Sequence, residues 1–162
     1  MIIPFHTVMG VLALVAGAAI FLLPKGTPLH RAMGATYAVS MVLMLATSFA
    51  IFDLFGGFGP YHAMSIVSVV TLGLALYFPL FRHRHANWMI HHYMWTIWSY
   101  IGLVMATGSH FFAVGPQGWS PIARAALYWG VPPLVGYVLI FTMRTRAMRS
   151  AAANMRQPGV SR

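Results

Sequence analysis

Eight histidines and a single carboxylate side chain, Asp53, hold most of the chemical potential of this sequence. Cysteine is absent. That removes disulfides, thiolate metal sites, iron–sulfur clusters and cysteine nucleophiles together. With one carboxylate, a paired-carboxylate mechanism is impossible within one chain. Acid–base work then falls to histidine or tyrosine. The sequence has no glycine-rich phosphate loop and no second acid to hold magnesium, so phosphoryl transfer is disfavoured. The chemistry left is that of imidazole: metal or haem ligation, and proton transfer.

The elements that must position these rings follow from composition. The chain has 162 residues, 59% of them hydrophobic and 7% charged. Soluble domains are about 25% charged. Too little polar surface remains to cover a soluble ball, which excludes a soluble enzyme. An aromatic content of 14% argues against disorder. The net charge of +9 reflects missing acids rather than a dense basic stripe, so nucleic acid is not the expected partner. Five stretches reach the about 20 apolar residues that a membrane span requires. They are Phe5 to Leu23, Leu29 to Phe52, Tyr61 to Phe81, His85 to His110 and Ile122 to Met143. In lipid each backbone amide needs an internal partner, so the expected fold is all-α: a bundle of five transmembrane helices in a bilayer. Pro132-Pro133 predicts a kink in the fifth. Residues 1–149 form one transmembrane domain, and residues 150–162 are expected to be a mobile, basic cytoplasmic tail.

Lys25, Arg31, Arg82, Arg84 and the five arginines after the last helix fall on one side; only Arg124 falls opposite. The positive-inside rule places the C-terminus in the cytoplasm and the N-terminus outside. No basic residue precedes the first segment, which reads as a retained helix rather than a signal peptide. This topology sorts the histidines. His6, His62 and His110 belong at the outer face with Asp53. His30, His83 and His85 belong at the inner face, and His91 and His92 one to two turns deeper. At about 100° per residue, His85, His92, Ser99 and His110 share one stripe of helix four, while His91 points away. His30, Tyr37, Met41, Met44 and Ser48 share a side of helix two, with Tyr37 near the depth of His92. His6, Gly10, Ala13 and Gly17 make a thin face on helix one that admits a neighbour or a flat cofactor. Histidines at helix ends also serve as interfacial residues, and His83, within Arg82-His83-Arg84-His85, fits that role. His92 lies inside a span, where an ionisable group marks a functional site by default.

The segment Leu29-His30-Arg31-Ala32-Met33-Gly34-Ala35-Thr36-Tyr37 resembles the His-Arg-x-x-Gly-x-x-Tyr element of the domain-of-unknown-function 2306 family, small bacterial membrane proteins. His85-Ala86-Asn87-Trp88-Met89-Ile90 is similar to its His-x-x-Trp-Met element. His92-Tyr93-Met94 and Trp98 to Leu103 resemble the continuation in one branch, and His6 with Gly10 fits its opening helix. At His110 the sequence departs from that branch, where an acidic residue is usual. The resemblance implies a multi-pass protein of the bacterial inner membrane and weight on His30, His85 and His92. It supplies no activity. The layout is also similar to that of diheme b-type cytochromes, by arrangement alone.

Three expectations about chemistry follow. The first is a haem-binding electron carrier or quinone-linked oxidoreductase, with haem b bound non-covalently because no Cys-x-x-Cys-His motif is present. An inner haem takes His92 with His30 or His85; an outer haem takes two of His6, His62 and His110. By helical rise His30 is about 10 Å nearer the surface than His92, so His30 with His85 matches depth better. Arg31, Arg82 and Arg84 are placed for propionates, with Tyr37 alongside. The second is a non-haem centre of His6, His62, His110 and Asp53. Zinc there could hydrolyse a lipid-borne bond, with Ser99 or Ser109 assisting, and copper or iron would also accept these imidazoles. The third is non-enzymatic: a proton or metal-ion path along helix four, or an accessory subunit of a larger membrane complex or homo-oligomer.

Overall fold

The computed structural model describes residues 1–52, 56–111 and 118–155. Asp53, Gly115, Pro116, Arg156 and Arg162 lie outside the described residues. All regular elements among those described are helical: α1 (Ile2–Leu22), α2 (Pro28–Ser48), α3 (Pro60–Leu80), a 3₁₀ turn (Arg82–Arg84), α4 (Trp88–His110), α5 (Pro121–Ala125), a π-helical turn (Ala126–Gly130) and α6 (Val131–Met155). The expected all-α class is what forms.

Local chemistry sets the ends. Thr27 caps α2 by accepting from the His30 amide at 3.1 Å, with Pro28 at the first helical position. Ser120 does the same for α5, accepting from Ala123 at 3.2 Å ahead of Pro121. At the end of α1 the Lys25 ammonium donates to the carbonyls of Ile20 (2.6 Å) and Phe21 (3.1 Å), and Gly26 turns the chain at φ 79°.

Four helices are long and apolar enough to cross a membrane: Ile2–Leu22, Pro28–Ser48, Tyr61–Leu80 and the run Pro121–Met143. Each 21-residue helix is about 31 Å long, the thickness of a hydrocarbon core. α4 is as long, with 23 residues, but His91, His92, Thr96, Ser99 and Ser109 make it more polar. It is the central helix. α1 pairs with α2 and α3 with α4; α2 lies beside α3 and α4 beside α1, closing a four-helix ring. α6 packs on the outside of α4.

Burial follows this ring. Ala13, Ile20, Tyr37, Met41, Leu72 and Leu103 fill its middle. Val8, Val11, Val15, Ile66, Val70, Leu134 and Val138 point outward and are exposed. Only 6% of the apolar window in Pro121–Met143 is buried. Such an aliphatic exterior is stable only against an apolar solvent, which makes this a membrane protein.

The thin face of α1 is filled by neighbouring side chains. Gly10 lies against the Met44 sulfur, and Gly17 against the rings of Tyr37 and Tyr100. The slot with room for a flat cofactor is therefore closed at this depth. Three further boundaries differ from expectation. Helix two ends at Ser48, not Phe52. Helix four begins at Trp88 rather than His85, because Arg82–Arg84 form a 3₁₀ turn and His85 is extended (φ −133°). His85 thus leaves the helix-four stripe, which keeps His92, Ser99 and His110. At the Pro132-Pro133 pair the chain widens one turn earlier: the Val131 amide reaches back five residues to Ala126. A π turn there rearranges the bonds that two prolines without amide hydrogens disrupt. The last helix also continues beyond residue 150 to Met155.

Gly17 supplies a direct test of the core. Gly17→Val drives a side chain into the Tyr37 and Tyr100 rings and should destabilise the protein by about 2 kcal/mol. Gly34→Ala enters open space and should be neutral or slightly stabilising. Thermal unfolding in detergent micelles measures both.

Candidate histidine centres

The basic end of the bundle is built on a proline. Pro79 lies in the last turn of α3 and has no amide hydrogen, so the Ala75 carbonyl four residues earlier lacks its helical partner. His92 on α4 fills the gap: Nδ1 donates to the Ala75 oxygen at 2.7 Å. A ring nitrogen facing a carbonyl must carry the hydrogen. The neutral His92 ring therefore keeps its free lone pair on Nε2. Metal-ligating histidines are oriented in this way, one nitrogen donating to a carbonyl and the other presented to the metal.

His30, in the first turn of α2, stands close enough to His92 and Lys25 for their charges to act on it. Its Nδ1 is buried with no hydrogen-bond partner. Partial burial also holds the Lys25 ammonium below the ordinary lysine range. Arg31 beside it is exposed. His85 goes elsewhere. Its Nε2 lies 3.3 Å from the Tyr77 hydroxyl, and its ring packs edge-on against Tyr77 and Phe78. His91 stacks on Phe78 with centroids 4.7 Å apart, and His83 is exposed. His92 and His30 thus lie within electrostatic reach of each other, and His85 stays in an aromatic cluster on α3.

At the opposite end His6 repeats the pattern of His92. Its Nδ1 donates to the Met44 carbonyl of α2 at 3.0 Å and lies 3.0 Å from the Thr47 hydroxyl. Nε2 again keeps the lone pair. His110, at the end of α4, is close enough for its charge to act on His6. His62 is different. Its Nδ1 accepts from the Gly59 amide at 3.1 Å, so in the neutral ring Nε2 carries the hydrogen. That Nε2 is buried without a partner. Phe52 and Phe58 stack on the ring at 5.0 and 5.1 Å. With its one lone pair already engaged, His62 is a poor ligand. Among the described residues no three histidine or acidic side chains converge to hold a metal ion. The expected four-ligand centre is not assembled from His6, His62 and His110, and Asp53 lies outside the described residues.

Between the two ends the interior is aromatic and closed. The Tyr37 hydroxyl and Ser99 Oγ, both buried, share a 2.8 Å hydrogen bond from α2 to α4. Tyr100 donates to the Leu14 carbonyl at 3.2 Å and meets Phe21 edge-on. Tyr37 is therefore tied into the buried middle of the bundle. Sequence reasoning missed Thr47, Pro79 and Ala75. Pro79 carried a readable signal, since a proline in a helix frees a carbonyl that something must meet. Thr47 carried none. No family model, curated protein or solved structure matches the chain.

Tyr37→Phe leaves the buried Ser99 hydroxyl without its partner and should cost about 1–2 kcal/mol, as should Ser99→Ala. The double variant should lose no more than either alone, because both remove one bond. Unfolding of the four proteins in micelles reads this coupling.

Proposed function

We propose that the chain is a five-helix protein of the bacterial inner membrane that carries electrons through b-type haem held by histidine pairs at its two ends. The observation that carries this reading is the shared orientation of His6 and His92. One ring at each end donates Nδ1–H to a carbonyl of a neighbouring helix and keeps Nε2 free, within electrostatic reach of a second histidine. His92 with His30 serves the basic end, taken as cytoplasmic by the positive-inside rule. His6 with His110 serves the other. α4 is the fifth span, its polar residues facing the ring rather than lipid. The resemblance to the domain-of-unknown-function 2306 family belongs to the same proposal.

The donor set fits haem, which takes imidazoles from facing helices. Met41, Tyr37 and Tyr100 close the middle, so the reading places haem at the ends. Bound there, haem would supply reversible one-electron exchange between ferric and ferrous iron. The chain's own residues fix the ligand tautomers, exclude water along the bundle and place Arg31 to meet a propionate. A zinc hydrolase needs three ligands together, and the described residues do not provide them.

The purified protein is expected to be red, with a Soret band that shifts on reduction by dithionite. His92→Ala and His6→Ala should each remove about half of the haem, and His62→Gln none. A colourless protein without iron, or full haem content in both alanine variants, refutes the reading.

A further inference from the structure

Two observations at the α2–α3 seam point to a ligand that neither histidine pair explains. First, α2 and α3 meet loosely and leave an apolar groove of about 360 Å³ between them. Val42, Leu45 and Phe49 line it from α2, and Val69, Gly73 and Leu76 from α3. Val42, Val69 and Gly73 are exposed, so the groove opens toward lipid. Second, His62 Nε2–H is a buried donor without an acceptor, in a side chain only 5% exposed. A buried donor left unmade costs about 1–3 kcal/mol, so an acceptor there is strongly favoured.

The two features are neighbours along α3, with His62 beyond the residues that line the groove. His62, Val69, Gly73 and Leu76 are spaced by seven, four and three residues, one stripe of α3. Phe49 both lines the groove and lies 6.4 Å from the His62 ring. Nδ1 faces the Gly59 amide at the helix cap, so Nε2, on the other side of the ring, points away from the cap. Phe52 and Phe58 cover the ring faces and leave only its edge to act.

We infer that this groove binds the isoprenoid tail of a membrane quinone and that His62 Nε2–H donates to a quinone carbonyl at its end. A long apolar chain suits an aliphatic groove open to the bilayer. A neutral carbonyl suits a neutral imidazole donor among phenylalanines. A phospholipid headgroup would call for a cation instead. Yet Lys25, Arg31, Arg82 and Arg84 lie at the opposite end, and Arg124 belongs to α5, which continues through the π turn into α6. Within the electron-transfer reading, on which its purpose rests, the quinone is the small-molecule partner. The binding itself stands apart from haem.

The test uses the full chain in lipid nanodiscs with a photoreactive azido-decylubiquinone and peptide mapping of the label. The parent should be labelled within residues 42–49 or 62–76. Gly73→Leu, whose side chain enters open space and fills the groove, should lower labelling about tenfold. His62→Leu should lower it about fivefold, and His62→Gln, which restores an N–H donor, should retain most of it. Labelling elsewhere overturns the inference, as does labelling unchanged in both Gly73→Leu and His62→Leu. Recovery of phospholipid instead of quinone from the parent groove also overturns it. Specific labelling of a colourless protein sustains this inference while the haem reading falls; haem without labelling does the reverse.

Discussion

The hydrogen bond from His92 to the Ala75 carbonyl joins most of what is distinctive in this protein. In a bilayer a backbone carbonyl without a partner is expensive, because no water replaces the lost bond. Pro79 creates such a carbonyl near the end of α3. Its nearest remedy is a side chain on the adjacent helix, and imidazole is the group that can donate with one nitrogen and still offer the other. The bond therefore does three things at once. It satisfies α3, it fixes α4 against α3, and it sets the tautomer that leaves Nε2 available. His6 reaches the same state through the Met44 carbonyl, with Thr47 beside it.

The same need for internal partners organises the rest of the interior. Lys25 closes the end of α1 by taking two carbonyls that no amide reaches. Thr96 and Thr107 donate back to carbonyls four residues earlier on α4. Ser48 and Ser65 bridge α2 to α3 at 2.9 Å, and Tyr37 and Ser99 bridge α2 to α4. Without a hydrophobic force between helices in lipid, such bridges and close packing at small residues hold the ring together. Gly17 matters for that reason: it lets two tyrosine rings approach α1 and reach their partners.

The fold was largely legible because hydropathy and span length are one-dimensional properties. The starts of α2, α3 and α5 are written as Thr27-Pro28, Gly59-Pro60 and Ser120-Pro121, and the end of α1 as Pro24-Lys25-Gly26. The separation of histidines toward two ends of the bundle was legible too, since it follows from helix direction alone. Partnership was not. The stripe on helix four assumed a helix from His85, but the charged Arg82-His83-Arg84 run forms its own turn and sends His85 to Tyr77. Three histidines at one end looked like one ligand set, yet burial and hydrogen bonding divide them. Depth can be counted along a helix; the direction in which a ring nitrogen faces cannot.

That distinction separates His62 from His6 more sharply than position does. Both lie near the same end of the bundle, and each has one ring nitrogen tied to backbone. His6 is tied to a carbonyl and His62 to an amide. The first bond consumes the ring's hydrogen and leaves a lone pair; the second consumes the lone pair and leaves a hydrogen. One ring is thereby disposed toward a cation and the other toward an acceptor oxygen. A helix start that places histidine three residues after a glycine cap, with Pro60 between them unable to donate, fixes the second outcome locally. The first depends on a neighbouring helix and forms only when the bundle is assembled.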